Sequence, residues 1–206
     1  MRRLGYTCRP APRYRLRADG GSVEVCEGVY EPAEDSWLAY SVVEKLLLGH
    51  GFELCIDLGT GTGLLTLPCS LRGVYTLAVD LNPCAVACVA RAEPRPWDAA
   101  QCDSVSCIRC PIRRRTLLVY NTPYLPVEDE GLEGLAWSGG LSEALRAARW
   151  AASCMSKGCI VLVYSSLSGD DTGLRRLLEG AGYRLELLSR RFFFEELRVL
   201  YGCRMG

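Results

Sequence analysis

The chain has 206 residues, of which 49% are hydrophobic, and its 24 basic side chains are matched by 24 acidic ones. That length suffices for one sizeable core and is short for two domains. A neutral chain has no global field that draws it to nucleic acid or an anionic membrane. Its longest apolar runs, such as Leu46 to Leu48 and Gly158 to Tyr164, fall far short of the roughly 20 residues of a membrane span.

In chain order, the opening MRRLGYTCRPAPRYRLR is basic but has no apolar segment, so it does not read as a secretory signal, and a cytoplasmic location is expected. Arg13 to Arg17 and Ser22 to Cys26 alternate around Asp19-Gly20, which predicts a β-hairpin inside an N-terminal extension covering 1–28. A domain covering 29–206 follows. Its first helix is expected to start near Pro32 to Asp35 and run to Gly49, because Trp37, Leu38, Val42, Val43, Leu46 and Leu47 recur at helical spacing. Strand and helix then alternate. Strands are predicted over 53–58, 74–79, 99–102, 116–120 and 158–164, and helices over 63–71, 83–92, 142–156 and 172–181. Two closing strands, 183–190 and 196–203, have no helix between them and should pair antiparallel. This pattern predicts an α/β fold with an open, mostly parallel sheet and helices on both faces.

Twelve cysteines in a chain with regular α/β periodicity do not suit a small disulfide scaffold. Lys45 and Lys157 are the only lysines, and Asn82, Gln101 and Asn121 the only side-chain amides, a composition expected of a heat-adapted organism. Intracellular disulfides occur in hyperthermophiles, so some cysteines are expected to pair and others to fill the core. Cys107-Ile108-Arg109-Cys110 has zinc or redox spacing, but no second pair and no nearby histidine completes a site, so no metal is assigned. His50, beside a glycine at a helix end, receives no role.

The strand at 53–58 ends in Asp57-Leu58-Gly59-Thr60-Gly61-Thr62-Gly63. This glycine-rich turn lies at the carboxyl edge of the sheet, where such folds bind ligands, and its glycines allow close approach to backbone. Leu64 stands where a dinucleotide motif has its third glycine. Asp57 would repel a pyrophosphate but suits a ligand with a cationic amino group, as in S-adenosylmethionine. Asp80, after the second strand, is placed to accept both ribose hydroxyls, and Asp103, after the third, the adenine amino group. At the end of the fourth strand comes Asn121-Thr122-Pro123-Tyr124. An amide nitrogen is a poor nucleophile and must be oriented. The Asn121 oxygen can accept one of its N–H groups and the Thr122 carbonyl the other. Pro123 stiffens the loop and Tyr124 supplies a flat wall.

These residues resemble the HemK-like glutamine-N5 methyltransferases, in the short archaeal and eukaryotic branch that acts on class 1 release factors. The likeness spans Val29 to Leu200. It rests on Val29-Tyr30-Glu31-Pro32-Ala33-Glu34-Asp35-Ser36, the glycine turn, Asp80-Leu81-Asn82-Pro83, the Asn121 loop, Ala136-Trp137-Ser138-Gly139-Gly140 and the closing Glu195 to Leu200. It implies a class I, Rossmann-like S-adenosylmethionine-dependent methyltransferase fold with a seven-stranded sheet whose final strand is antiparallel. The implied acceptor is the glutamine of the release factor's Gly-Gly-Gln loop. By position, Tyr30, Ser36, Asp57, Gly59, Gly61, Asp80, Asp103, Ser104 and Asn121 would contact the cofactor, and Asn121 and Tyr124 the substrate. A small zinc-binding activator joined through a sheet edge is the implied partner. The family's loop is normally Asn-Pro-Pro-Tyr, and Thr122 in place of the first proline implies a less rigid loop.

Two other readings use the same residues. N6-adenine methylation of DNA or RNA would present a similar nitrogen to the same loop, but it needs a basic surface or a recognition domain. Arg113-Arg114-Arg115 is the one dense basic run. The other is a catalytically silent binding subunit, marked by Thr122.

Overall fold

The computed structural model describes residues 8, 10–123, 141–192 and 195–206. Tyr124 and the Ala136–Gly140 motif lie outside them.

Strand β1 (Pro12–Ala18) and β2 (Gly21–Cys26) form the expected hairpin. Asp19 (φ 46°) and Gly20 (φ 89°) both take the left-handed conformation that a two-residue turn of matching twist requires. The hairpin is seated on the rest of the chain: Val23 and Val25 are fully buried, and Ser22 forms a bridge with Glu93.

Helix α1 (Glu34–Gly49) buries Ala39, Val42, Val43, Leu46 and Leu47 along one face, and its first turn carries Glu34 and Asp35. Negative charge there complements the partial positive charge of a helix N-terminus. The chain continues through β3 (Leu54–Leu58), α2 (Leu67–Leu71), β4 (Tyr75–Asp80), α3 (Pro83–Val89), β5 (Asp98–Gln101) and β6 (Thr116–Asn121). It ends with α4 (Leu141–Cys154), β7 (Gly158–Ser165), α5 (Thr172–Gly180), β8 (Arg184–Phe192) and β9 (Glu195–Arg204). Two helices are shorter than their periodicity predicts. Helix α2 begins at Leu67 rather than Gly63, because Gly63 holds φ 84° and residues up to Thr66 remain in turns. Helix α3 stops at Val89 because the following chain turns so that Glu93 can exchange backbone bonds with Ser22. Asn82 caps α3 by accepting from the Cys84 N–H at 2.9 Å, and its Nδ2 donates to the Gly28 carbonyl at 2.6 Å.

The seven strands β3 to β9 lie in the order β5-β4-β3-β6-β7-β9-β8. β3 to β7 are mutually parallel, and β9 is inserted antiparallel between β7 and β8. Alternating side chains divide the core between the two faces. Cys55, Leu117, Val119, Val161 and Val163 pack with α1 and α2, whereas Ile56, Leu58, Leu118, Ile160 and Leu162 pack with α4 and α5.

Five disulfides, Cys8–Cys84, Cys26–Cys88, Cys102–Cys107, Cys110–Cys154 and Cys159–Cys203, leave only Cys55 and Cys69 as buried thiols. The zinc-like spacing of Cys107 and Cys110 is therefore coincidental, since each pairs with a different partner. His50 lies close to Cys159 and Cys203, but sulfurs joined to each other are not thiolate ligands.

Candidate functional site

The strand order reverses direction between β3 and β6, the point at which open α/β sheets leave a crevice beyond their carboxyl ends. Leu58 pairs with Tyr120, so the glycine turn after β3 and Asn121 at the end of β6 emerge side by side. Gly59, Gly61 and Gly63 hold φ of 60°, 54° and 84°. A Cβ on Gly59 would come within 3.1 Å of the Tyr120 ring, and one on Gly63 within 2.4 Å of Val89 Cγ2.

The strand-end acids sit in different surroundings. Asp57 is 1% exposed, and its Oδ2 accepts from the Thr60 hydroxyl at 2.7 Å. Its Oδ1 is buried with no partner among the described residues. Burial pushes its carboxyl up to about 7, the Thr60 bond opposes this, and the charge of Asp80 adds to it. Burial raises Asp80 too, against the backbone N–H groups of Gly61 (2.9 Å) and Asn82 (2.8 Å), each bonded to one oxygen. A carboxylate oxygen has two acceptor sites, so Asp80 keeps capacity for further donors. Asp103 differs: its side chain is 57% exposed and its Oδ1 takes a 2.6 Å ion pair from Arg146 on α4. Ser104 follows, buried and at φ 50°.

Around Asn121 the side chains converge. Its Nδ2 donates to Asp35 Oδ2 at 2.9 Å and to Ser36 Oγ at 3.3 Å, both on the first turn of α1. The Tyr30 hydroxyl lies 3.1 Å from each Asp35 oxygen, and burial, then the Asp35 charge, raises the Tyr30 phenol. Asn121 Oδ1 is buried and has no partner among the described residues. Thr122 itself is tethered. Its N–H (3.2 Å) and its hydroxyl (2.6 Å) both donate to the Val163 carbonyl of β7. Pro123 follows, half-buried.

The structure thus brings Tyr30, Ser36, Asp57, Gly59, Gly61, Asp80, Asn121 and Thr122 to the carboxyl ends of β3, β4 and β6 and the start of α1, with Asp103 at the surface in an ion pair. Sequence reasoning missed Asp35, although it lies within a quoted motif, and it missed Arg146, which nothing but the fold brings to Asp103. Buried polar atoms are nearly always bonded, so the oxygens of Asp57 and Asn121 at neighbouring strand ends, bare among the described residues, have room for donors from beyond those residues. A ligand with a cationic amino group fits the first, and an acceptor bearing N–H groups the second.

Solved structures share this architecture. The chain superposes with a TM-score of 0.65 on Mtq2 from the E. cuniculi Mtq2–Trm112 complex, described as methylating the termination factor eRF1, at 22% identity over 86% of this chain and 99% of that one. It superposes with a TM-score of 0.69 on the T. thermophilus 16S rRNA N2 G1207 methyltransferase, crystallised with S-adenosylmethionine and guanosine, at 20% identity over 96% of this chain and 50% of that one. In sequence it is 27% identical over 205 residues to a Methanocaldococcus jannaschii protein provisionally named a protein N5-glutamine methyltransferase, covering 92% of this chain and 99% of that one. The chain is thus similar in sequence to a protein provisionally named as a glutamine-N5 methyltransferase. Its fold is that of the class I S-adenosylmethionine-dependent methyltransferases. No protein-family model matches it.

Proposed function

We propose that the chain transfers a methyl group from S-adenosylmethionine to the side-chain amide nitrogen of a protein glutamine, in the Gly-Gly-Gln loop of a class 1 translation release factor. The observation that carries this reading is the pair of buried oxygens without partners among the described residues, Asp57 Oδ1 and Asn121 Oδ1, at the ends of neighbouring strands. The named activities of the M. jannaschii relative and of Mtq2 support the acceptor.

S-adenosylmethionine, when bound here, would supply a sulfonium methyl for transfer, with the C–S electron pair remaining on sulfur. Asp57 holds the cofactor's amino group and Asp80 its ribose. Tyr30, Ser36, Gly59, Gly61 and Ser104 line its site. Asp103 reaches the adenine amino group with the oxygen that Arg146 leaves. Asn121 Oδ1 accepts one N–H of the glutamine amide and the Thr122 carbonyl accepts the other, which turns the nitrogen lone pair toward the methyl carbon. Pro123 and Tyr124 complete the wall. The nitrogen becomes cationic as the new C–N bond forms and then gives its proton to solvent, so no base of tuned pKa is required.

The division into an extension at 1–28 and a catalytic domain at 29–206 belongs to the same proposal, as does a small zinc-binding activator of the Trm112 kind. The sheet has two edges, β5 and β8. The β5 edge carries Trp97, 65% exposed and stacked on Tyr75, which suits an apolar partner surface. No helix among the described residues is long and apolar enough to cross a membrane, and a release-factor substrate places the enzyme in the cytoplasm. Disulfides in that compartment accord with a heat-adapted source. Adenine methylation is not favoured. Arg113 to Arg115 precede β6, at the end of the sheet opposite Asn121, where the Arg115 carbonyl bonds the Glu53 N–H. A silent subunit is not favoured either, because Thr122, the residue that departs from the family's pattern, is itself anchored to Val163 beside Asn121.

The test is transfer of labelled methyl from S-adenosylmethionine to an archaeal release factor, with and without a zinc activator. Labelling should vanish when the Gly-Gly-Gln glutamine is changed to alanine and in Asn121→Ala enzyme. Labelling that survives the glutamine change would reject this acceptor.

A further inference from the structure

Asn121 can serve an acceptor amide in only one orientation. Its side chain is nearly symmetric in shape, with an oxygen that accepts and an NH2 that donates, so its surroundings decide which end is left for an acceptor. With Nδ2 toward Asp35 and the oxygen away from it, it can receive an N–H. Reversed, it would present donors to donors.

We propose that Asp35 is the positioning residue that holds Asn121 with its oxygen turned away from α1, and so restricts the acceptor to a nitrogen bearing N–H. This inference rests on the glutamine reading above and deepens it. Asp35 Oδ2 lies 2.9 Å from Asn121 Nδ2. A carboxylate only accepts, so reversing the Asn121 amide would set its Oδ1 against Asp35 Oδ2 in a buried site, where two facing acceptors repel with little screening. The hydroxyl of Ser36, 3.3 Å from Nδ2, can donate or accept and would tolerate either orientation. The selectivity therefore comes from Asp35.

Asp35 is itself held fast. It is 3% exposed. Its Oδ1 accepts from the Ser36 N–H at 2.6 Å and the Ser36 hydroxyl at 3.1 Å, and the Tyr30 hydroxyl bridges both oxygens at 3.1 Å. It stands on the first turn of α1, where a helix end favours negative charge. The result of this chain of contacts is an Asn121 Oδ1 that is buried and has no partner among the described residues. The same carboxylate, one side chain behind the acceptor, also favours the positive charge that the nitrogen gains as the C–N bond forms. Two oxygens, Asn121 Oδ1 and the Thr122 carbonyl, then select a nitrogen with two N–H groups, a primary amide rather than a secondary one.

Two measurements test this on the full chain. Asn82, Gln101 and Asn121 are the only side-chain amides, so the Asn121 NH2 pair in a nitrogen–proton correlation spectrum is assigned by its loss in Asn121→Ala. Those protons should exchange slowly with solvent in the unaltered protein and at least about tenfold faster in Asp35→Ala, which lacks the acceptor. In the methyl-transfer assay, Asp35→Asn offers an NH2 of its own to a reversed Asn121. It should lower kcat roughly 10- to 100-fold, the effect of a misplaced positioning group, while the cofactor dissociation constant changes far less and the unfolding midpoint falls only as much as in Glu34→Gln, which removes another first-turn charge. A role in mere folding would move the dissociation constant and the midpoint further instead. Asn121 protons that exchange quickly in the unaltered protein, exchange that is the same in Asp35→Ala, or a kcat within threefold of the unaltered enzyme in Asp35→Asn would overturn the proposal. An unaltered enzyme that labels no release factor would reject the glutamine reading, and the exchange measurement would still decide the role of Asp35.

Discussion

Cofactor binding should depend on pH through one buried carboxyl. Asp57 is 1% exposed, and burial lifts its carboxyl from the ordinary 3.8 to about 7. A raised carboxylate pKa means that the native state binds more protons than the unfolded chain between those values. The group's contribution to stability is thus fully present below about pH 4 and is lost as pH rises through about 7. The full shift corresponds to about 4 kcal/mol as an upper bound. A cationic amino group at Oδ1 favours the ionised form and must displace the proton first. Affinity for S-adenosylmethionine should therefore weaken about tenfold, or 1.4 kcal/mol, for each pH unit below 7. Titration calorimetry at pH 7, 6 and 5, in buffers of different ionisation enthalpy, reads both the slope and the single proton released. Asp57→Asn should bind roughly 10- to 100-fold more weakly at pH 7, show no slope, and raise the stability of the ligand-free protein at pH 8. Asp80, which is also raised by burial, remains in that variant and serves as the control. A flat profile in the unaltered protein, or a slope that survives in Asp57→Asn, would refute the assignment of the amino group to Asp57.

Other outcomes follow from single contacts. Thr122→Val removes the hydroxyl bond to Val163 and should cost about 1 kcal/mol in denaturant unfolding; Thr122→Pro, the family's usual residue, removes the N–H as well and should cost about 1–3 kcal/mol. Gly63→Ala places a Cβ 2.4 Å from Val89 Cγ2 at φ 84°. Left-handed strain of about 1–2 kcal/mol and overpacking of about 1–3 kcal/mol predict a large loss in unfolding free energy, with cofactor affinity reduced because the turn itself moves. Alkylation of the denatured, unreduced protein followed by mass spectrometry should mark Cys55 and Cys69 alone, and prior reduction should expose all twelve cysteines.

What could be read from the chain alone follows the range of the interactions involved. The strands of the sheet were visible because alternate residues such as Leu117, Leu118 and Val119 must be apolar on both faces of a covered sheet. The glycine turn and the Asn121 loop were visible as local motifs. The start of α2 was misjudged, although Pro68 in its first turn was a signal. Hydrophobic spacing continues through Leu64 and Leu65, and only the backbone conformation of Gly63 shows that these residues lie in turns. The insertion of β9 between β7 and β8, the cysteine pairs 44 to 76 residues apart, and the Arg146–Asp103 ion pair join distant segments and leave no local periodicity.

Thr122 shows why a departure from a motif has to be judged by contacts rather than by residue type. A proline stiffens a loop by fixing its own φ and cannot donate from its nitrogen. Threonine leaves φ free but supplies two donors, and here both reach the one carbonyl that the parallel partner strand presents, at Val163. The restraint moves from the chain's own torsion to the neighbouring strand, and the Thr122 carbonyl stays beside Asn121. On the other side, Asp35 ties Asn121 to α1. The acceptor loop is therefore fastened to two elements, β7 and α1, that the sheet order places around it. The replacement that implied a slack loop instead exchanges one form of rigidity for another, and the amide-binding geometry should survive it.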